Sequence, residues 1–164
     1  MESPLPNRQS IRLKNYHYSK PGYYFVTICC EHHQCLFGHI HDHNMQLNIA
    51  GQMIQTTYTQ LPTQHPNIKL HNHIIMPNHF HAIIQITHQT QIKLGNIVQT
   101  FKRISTLDYI KLVKQNKLPR FNKRIWQRNY WEHIIRNQTE YNHISQYIQN
   151  NPKTWQEDKL NPKK

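Results

Sequence analysis

The chain has 164 residues, with 20 Lys and Arg against 8 Asp and Glu and a formal charge of +12, which suits one domain with a polyanionic partner. No apolar run approaches the ~18 residues of a membrane span and no basic, apolar leader opens the chain, so the expected location is cytoplasmic and nucleoid-associated. Cys29, Cys30 and Cys35 form no Cys-x-x-Cys and give no sign of a disulfide framework or zinc ribbon.

In chain order, residues 1–20 are polar and basic, and the prolines at 4 and 6 predict a loose start over about 1–7. "YYFVTICC" (23–30) reads as a buried strand, and "GHIHDHNMQL" (38–47), with its turn-like Asp-His-Asn, as a hairpin. Ile49, Met53, Ile54, Tyr58 and Leu61 recur at helical spacing, predicting a helix over 48–61 that Pro62 stops. "IKLHNHIIM" (68–76) and "HFHAIIQI" (79–86) make an antiparallel pair across a tight Pro77-Asn78 break. A second helix runs from Leu94 through Phe101 towards residue 114, and the basic, aromatic stretch 120–136 is expected to be extended and looped. The last helix starts at Asn137, with Glu140 completing a capping-box-like signal, and ends at Asn151-Pro152 because proline pushes its predecessor out of the helical region. The chain thus reads as one α+β domain over 1–164, helices on an antiparallel sheet, with a second loose end over about 156–164.

The chemistry centres on "MPNHFHAII" (76–84). Strand alternation sends His79 and His81 to one face and Phe80 to the other, so two imidazoles on a rigid element can hold one metal ion. Between Asp42 and Asp108 there is no Asp or Glu. That argues against two-metal nucleases built on clustered carboxylates and against paired-carboxylate glycosidases, and it leaves any metal to histidine. In the last helix Tyr141, Ile144 and Ile148 form an apolar stripe, while His143, Tyr147 and Asn151 lie four apart on a second one.

The segments "RQSIRLKNYHYSKPGYYFVTICC", "MPNHFHAII", "LGNIVQTFKR", "IWQRNYWEHIIRN" and "YIQNNPKTW" occur in one order between residues 8 and 155. In them the chain resembles the single-tyrosine HUH transposases (histidine, hydrophobic residue, histidine), and most closely their REP-associated branch. The resemblance implies a ferredoxin-like fold with the HUH pair on a central strand and a nucleophilic tyrosine on a C-terminal helix. By position it makes His79 and His81 the metal pair, Tyr147 the nucleophile and Asn151 the residue that completes the metal site. Other members often carry glutamine there, and asparagine has the shorter reach. Tyr130 is the competing tyrosine, but no ligand-bearing turn follows it. The implied cofactor is one divalent ion, Mg²⁺ or Mn²⁺. The implied reaction is cleavage and rejoining of single-stranded or hairpin DNA through a covalent 5′-phosphotyrosine, which conserves the bond energy. The resemblance is compatible with a homodimer or a monomer.

Residues 101–137 hold ten of the twenty Lys and Arg, two carboxylates and six aromatic rings. Cations for phosphates and rings for unstacked bases predict a single-strand binding surface there. Its candidates are Lys102, Arg103, Arg120, Lys123, Arg124, Arg128, Trp131 and Arg136, with Phe101 and Trp126 expected in the core. His133 and His143 are candidates for support within the active site. The other His-x-His spacings, in "HIHDH" (39–43) and "HNH" (71–73), are read as compositional. Two alternatives stand beside the enzyme. One is a catalytically silent, sequence-specific DNA-binding protein; the other is a metal-storage protein using several of its fourteen histidines.

Overall fold

The computed structural model describes residues 12–163, so the predicted loose start over 1–7 lies outside the described residues. β1 (Gly22–Cys29) leads through a short 3-10 turn into a hairpin of β2 (Gly38–His41) and β3 (Asn44–Leu47). Then come α1 (Ile49–Thr59), α2 (Leu61–Gln64), β4 (Ile68–Ile75), β5 (His79–Ile86), α3 (Leu94–Lys114), β6 (Trp131–Ile135), α4 (Gln138–Asn150) and a 3-10 segment, Asn151–Glu157. The main sheet has the order β4-β5-β1-β6, antiparallel throughout, and β2 and β3 form a separate two-stranded ribbon. With the ribbon set aside this is the ferredoxin-like βαββαβ arrangement, and β5, which carries His79 and His81, is an interior strand.

The two faces of the sheet are filled unequally. Tyr24, Val26 and Ile28 of β1 and Phe80, Ala82 and Ile84 of β5 are buried in one cluster with Ile54 and Tyr58 of α1 and Ile97 and Phe101 of α3. On the other face α4 covers a small core of Ile83, Ile135 and Ile148. Phe80 packs against Tyr58 at 4.7 Å and Phe101 at 5.1 Å between ring centroids, as strand alternation requires if the flanking histidines face α4. The larger core anchors the sheet, and the thinner α4 side leaves room for a cavity.

Several local expectations are corrected. Pro62 does not stop the chain's helical path; it lies in the first turn of α2, where its missing N–H costs nothing. Ile49, placed on the apolar stripe, is exposed. α4 does end at Asn150, but not because proline expels its predecessor: Asn151 keeps φ −53° and ψ −43°, and Pro152 opens the 3-10 segment in its first turn. The predicted loose end over 156–164 is also revised over its described part. Asn161 is buried and its side chain donates to the Trp155 carbonyl at 3.0 Å, and the Leu160 carbonyl accepts from Asn78 at 2.6 Å. In α4 itself Asn137 Oδ1 accepts the Glu140 N–H at 2.8 Å, as the capping signal predicts, while Glu140 reaches the Arg136 N–H at 2.7 Å.

Candidate active site

Antiparallel pairing sets Thr27 of β1 opposite both His81 and Trp131, so the three share one row on the α4 face. One step along, Cys29 stands opposite His79. His79 and His81 are fully or almost fully buried, with ring centroids 4.6 Å apart.

The proton on His79 follows from its neighbour. Asn78 Nδ2 donates to the carbonyls of His33 (3.0 Å) and Leu160 (2.6 Å), which can only accept. Its Oδ1 therefore faces His79 Nδ1 at 2.8 Å, Nδ1 carries the proton, and Nε2 is left with a bare lone pair. On His81 the Thr27 hydroxyl lies 2.8 Å from Nδ1 and can accept its proton in the same way. His79 Nε2, His81 Nε2 and Asn151 Oδ1 are all buried without a hydrogen-bond partner. Asn151 lies close enough to act on the His79 ring, yet no bond of good geometry joins them. Three orphaned donors of a mixed N, N, O set fit a divalent cation, and a buried polar atom without a partner is otherwise costly.

Sequence reasoning missed two residues here. Asn78 reads only as a turn before the strand, and its part depends on a segment eighty residues away. Asp158 comes from the supposed loose end and sets Oδ2 3.8 Å from His79 Nε2. Asp158 thus adds a carboxylate beside the two histidines and Asn151 that the sequence proposes for the metal site. No signal short of the tail's packing identifies Asp158.

Burial, opposed by Asp158, pushes the His79 imidazole down to about 4, and burial with the adjacent His79 holds His81 well below its ordinary value. Both rings are therefore neutral at pH 7 and able to ligate. The unfolded chain takes up protons below about 6.5 that the folded chain refuses, so stability falls as pH is lowered from about 6.5 towards 4. Thermal melts of the metal-free protein should show a falling Tm across that window, and a weaker fall for His79→Gln. Equal slopes would contradict the assignment.

Tyr147 is half exposed, its ring 5.3 Å from that of His81 and 6.1 Å from that of Phe25. With Thr27, His81, Trp131, Asn151 and Asp158 it lines a cavity of about 530 Å³. Four of the sequence candidates, Tyr147, His81, Asn151 and Trp131, thus converge on it, and His79 lies directly behind. Tyr130, the competing tyrosine, is buried in the core on the opposite face of the sheet, and burial pushes its phenol up to about 12.

The other candidates scatter. Lys102 is turned inward and donates to the carbonyls of Gln127, Arg128 and Asn129 at 2.8–3.3 Å, so it braces the loop before β6. Lys102→Met should lower stability by about 1–3 kcal/mol, read as a Tm shift, because those carbonyls lose their donor. Arg124 pairs with Glu31 at 3.6 Å, Arg120 lies beside Phe121, and Arg136 lines a separate hollow with His71 and Tyr141. Arg103 and Lys123 are exposed. Of the six aromatics, Phe101, Tyr109, Trp126 and Tyr130 are buried, so most of these rings serve packing. His133 does not line the cavity; it ties β6 to α4 through Glu140 at 2.5 Å. His143 is exposed on α4 and does not line the cavity either.

The "HNH" repeat does not present its two imidazoles on one face. A bulge between Leu70 and His73 shifts the β4 register, so the two imidazoles point to opposite faces. His71 bonds Tyr141 and Gln85 at 3.1 and 3.0 Å, whereas His73 bonds Gln55 at 3.0 Å and sets its ring 4.7 Å from that of Tyr58. Among the described residues no three His, Cys, Asp or Glu side chains gather as a metal cluster, so the storage reading gains no support.

Comparison with known proteins agrees with this fold. The solved REP-associated tyrosine transposase bound to a REP hairpin shares the fold, with TM-score 0.62 and 20% identity over 89% of this chain and 74% of that one. A putative transposase from Deinococcus radiodurans gives TM-score 0.54 and 16% identity over 86% and 97%. An uncharacterized protein of Haemophilus influenzae is 39% identical over 95% of this chain and 94% of its own length. The family described as "Transposase IS200 like" matches residues 17–151, and the chain belongs to that family of DNA transposases.

Proposed function

We propose that this transposase cleaves and rejoins single-stranded or hairpin DNA with one divalent ion, Mn²⁺ or Mg²⁺, through a covalent bond between Tyr147 and a 5′-phosphate. The observation that carries the reading is the sharing of one site by a half-exposed phenol and three buried, partnerless donors. His79, His81 and Asn151 would hold the ion, and two imidazole nitrogens favour Mn²⁺ over Mg²⁺. When bound, such an ion draws charge from a nonbridging phosphate oxygen. Asn78 and Thr27 fix the imidazoles from behind, so the donors are oriented before any substrate arrives.

Tyr147 gives its proton to solvent, its oxygen bonds to phosphorus, and the P–O3′ bond breaks, the departing oxygen taking a proton from solvent to leave a 3′-hydroxyl. The return attack of a 3′-hydroxyl rejoins the strand without an external energy source. Trp131, 65% exposed at the cavity's lip, offers a ring to an unstacked base. Trp131→Ala should weaken single-strand binding by about 1–3 kcal/mol while leaving Tm unchanged, as measured by anisotropy titration. The hairpin substrate is suggested by the relative solved with a REP hairpin.

The test is incubation with a labelled hairpin bearing a single-stranded flank, with Mn²⁺, Mg²⁺ or EDTA, followed by a denaturing gel. A metal-dependent adduct through a 5′-phosphate is expected. DNA binding without any adduct across a panel of hairpins and flanks would leave the silent binder in its place.

A further inference from the structure

A second cavity, of about 370 Å³, lies on the other side of the sheet at the start of α3. Arg12, Lys93, Lys102 and Arg128 line it together with Asn96 and the wall formed by Tyr130, and no carboxylate does. The cations are gathered closely. The Arg12 guanidinium lies 4.9 Å and the Lys102 ammonium 5.7 Å from the centre of the same Tyr130 ring. Burial, with Arg12 adding to it, lowers the Lys102 ammonium to about 8. Glu132, which acts with Arg12 on Tyr18 and Tyr130, stands near the cavity without being part of its lining. The Lys102 N–H groups are held by the Gln127, Arg128 and Asn129 carbonyls, so an entering anion would meet Arg12, Lys93 and Arg128 directly, with the Lys102 charge behind them.

The placement is as informative as the charge. Tyr130 packs in the core on the α3 face, while the next residue, Trp131, stands in the catalytic row on the α4 face. β6 is an edge strand, paired on one side only, by β1. The two cavities therefore flank the same end of one edge strand, and Arg128 belongs to the loop that leads into it.

We propose that this cavity binds a backbone phosphate of the DNA outside the scissile position, anchoring a strand that crosses the β6 edge into the catalytic cavity. This rests on the DNA reading above and adds a recognition site to it. The phosphate can come from a hairpin stem or from a single-stranded flank, and one experiment tells them apart. A hairpin with a 5′ flank is titrated by anisotropy in EDTA, with each phosphate replaced in turn by a neutral methylphosphonate.

In wild type, replacement at one or two nonscissile positions should weaken binding about tenfold and lower the salt slope by about one. In Arg12→Gln/Lys93→Gln the same replacements should add no further loss, and Arg12→Lys/Lys93→Arg should restore the sensitivity. Sensitive positions in the stem identify a stem phosphate, and those in the flank a flank phosphate. Independent, additive losses at every position would overturn the pocket alone. Absence of any DNA binding by wild type would overturn the pocket and the DNA reading together.

Discussion

Tyr147→Phe is expected to eliminate the covalent protein–DNA adduct while leaving fold and DNA affinity nearly unchanged. The substitution removes one oxygen from a side chain that is half in solvent, so little packing is lost, and the phenyl ring still meets Phe25 and His81 edge-on. A phenyl ring has no lone pair to offer phosphorus, so the step itself is lost rather than slowed. Tyr130→Phe is the informative control. That phenol lies in the core across the sheet, where no donor of the candidate metal site reaches it, and its variant should still form the adduct. If label followed Tyr130, the site would have to be moved to the other face of the sheet. If neither variant lost an adduct that wild type forms, the nucleophile would lie elsewhere.

The contrast between these tyrosines shows what a sequence makes legible. Period-two alternation in "HFHAIIQI" correctly separates His79 and His81 from Phe80, because nothing interrupts that strand. The same rule applied to "HNH" would pair His71 with His73, and the β4 bulge breaks it. Period-four spacing on the last helix correctly aligns Tyr147 with Asn151, but it also brings in His143, which lies a turn short of the cavity. Charge counting finds the basic stretch 101–137 and not its partition. Lys102 is drawn inward by three carbonyls that only the folded loop brings together. Asn78 and Asp158 illustrate the other limit. Their roles depend on the C-terminal segment returning to β5, a contact between parts of the chain about eighty residues apart that no local pattern encodes.

His81→Ala should abolish metal-dependent adduct formation and also the stabilisation that a divalent ion gives the protein. Wild type, titrated with Mn²⁺, should gain RT ln(1 + [L]/Kd), about 2.7 kcal/mol at a hundredfold excess over Kd, read as a rise in Tm. Removing the His81 imidazole deletes one of three orphaned donors and frees the Thr27 hydroxyl that held it, so both readouts should vanish together. His79→Ala should behave alike and also release Asn78 Oδ1. Loss of stability alone cannot account for such a result if His71→Ala is run beside it. That variant removes hydrogen bonds to Tyr141 and Gln85 on the same face of the sheet, so it should lower Tm while keeping both the adduct and the Mn²⁺-induced rise. Asn151→Ala should weaken the metal response, moving it to higher Mn²⁺ concentration, because one of the three orphaned donors is lost. Asn151→Gln should recover part of it, since glutamine keeps the amide oxygen and extends its reach. A Mn²⁺ response that survived His81→Ala undiminished would place the ion away from the paired histidines, and the strand-face argument for them would fail.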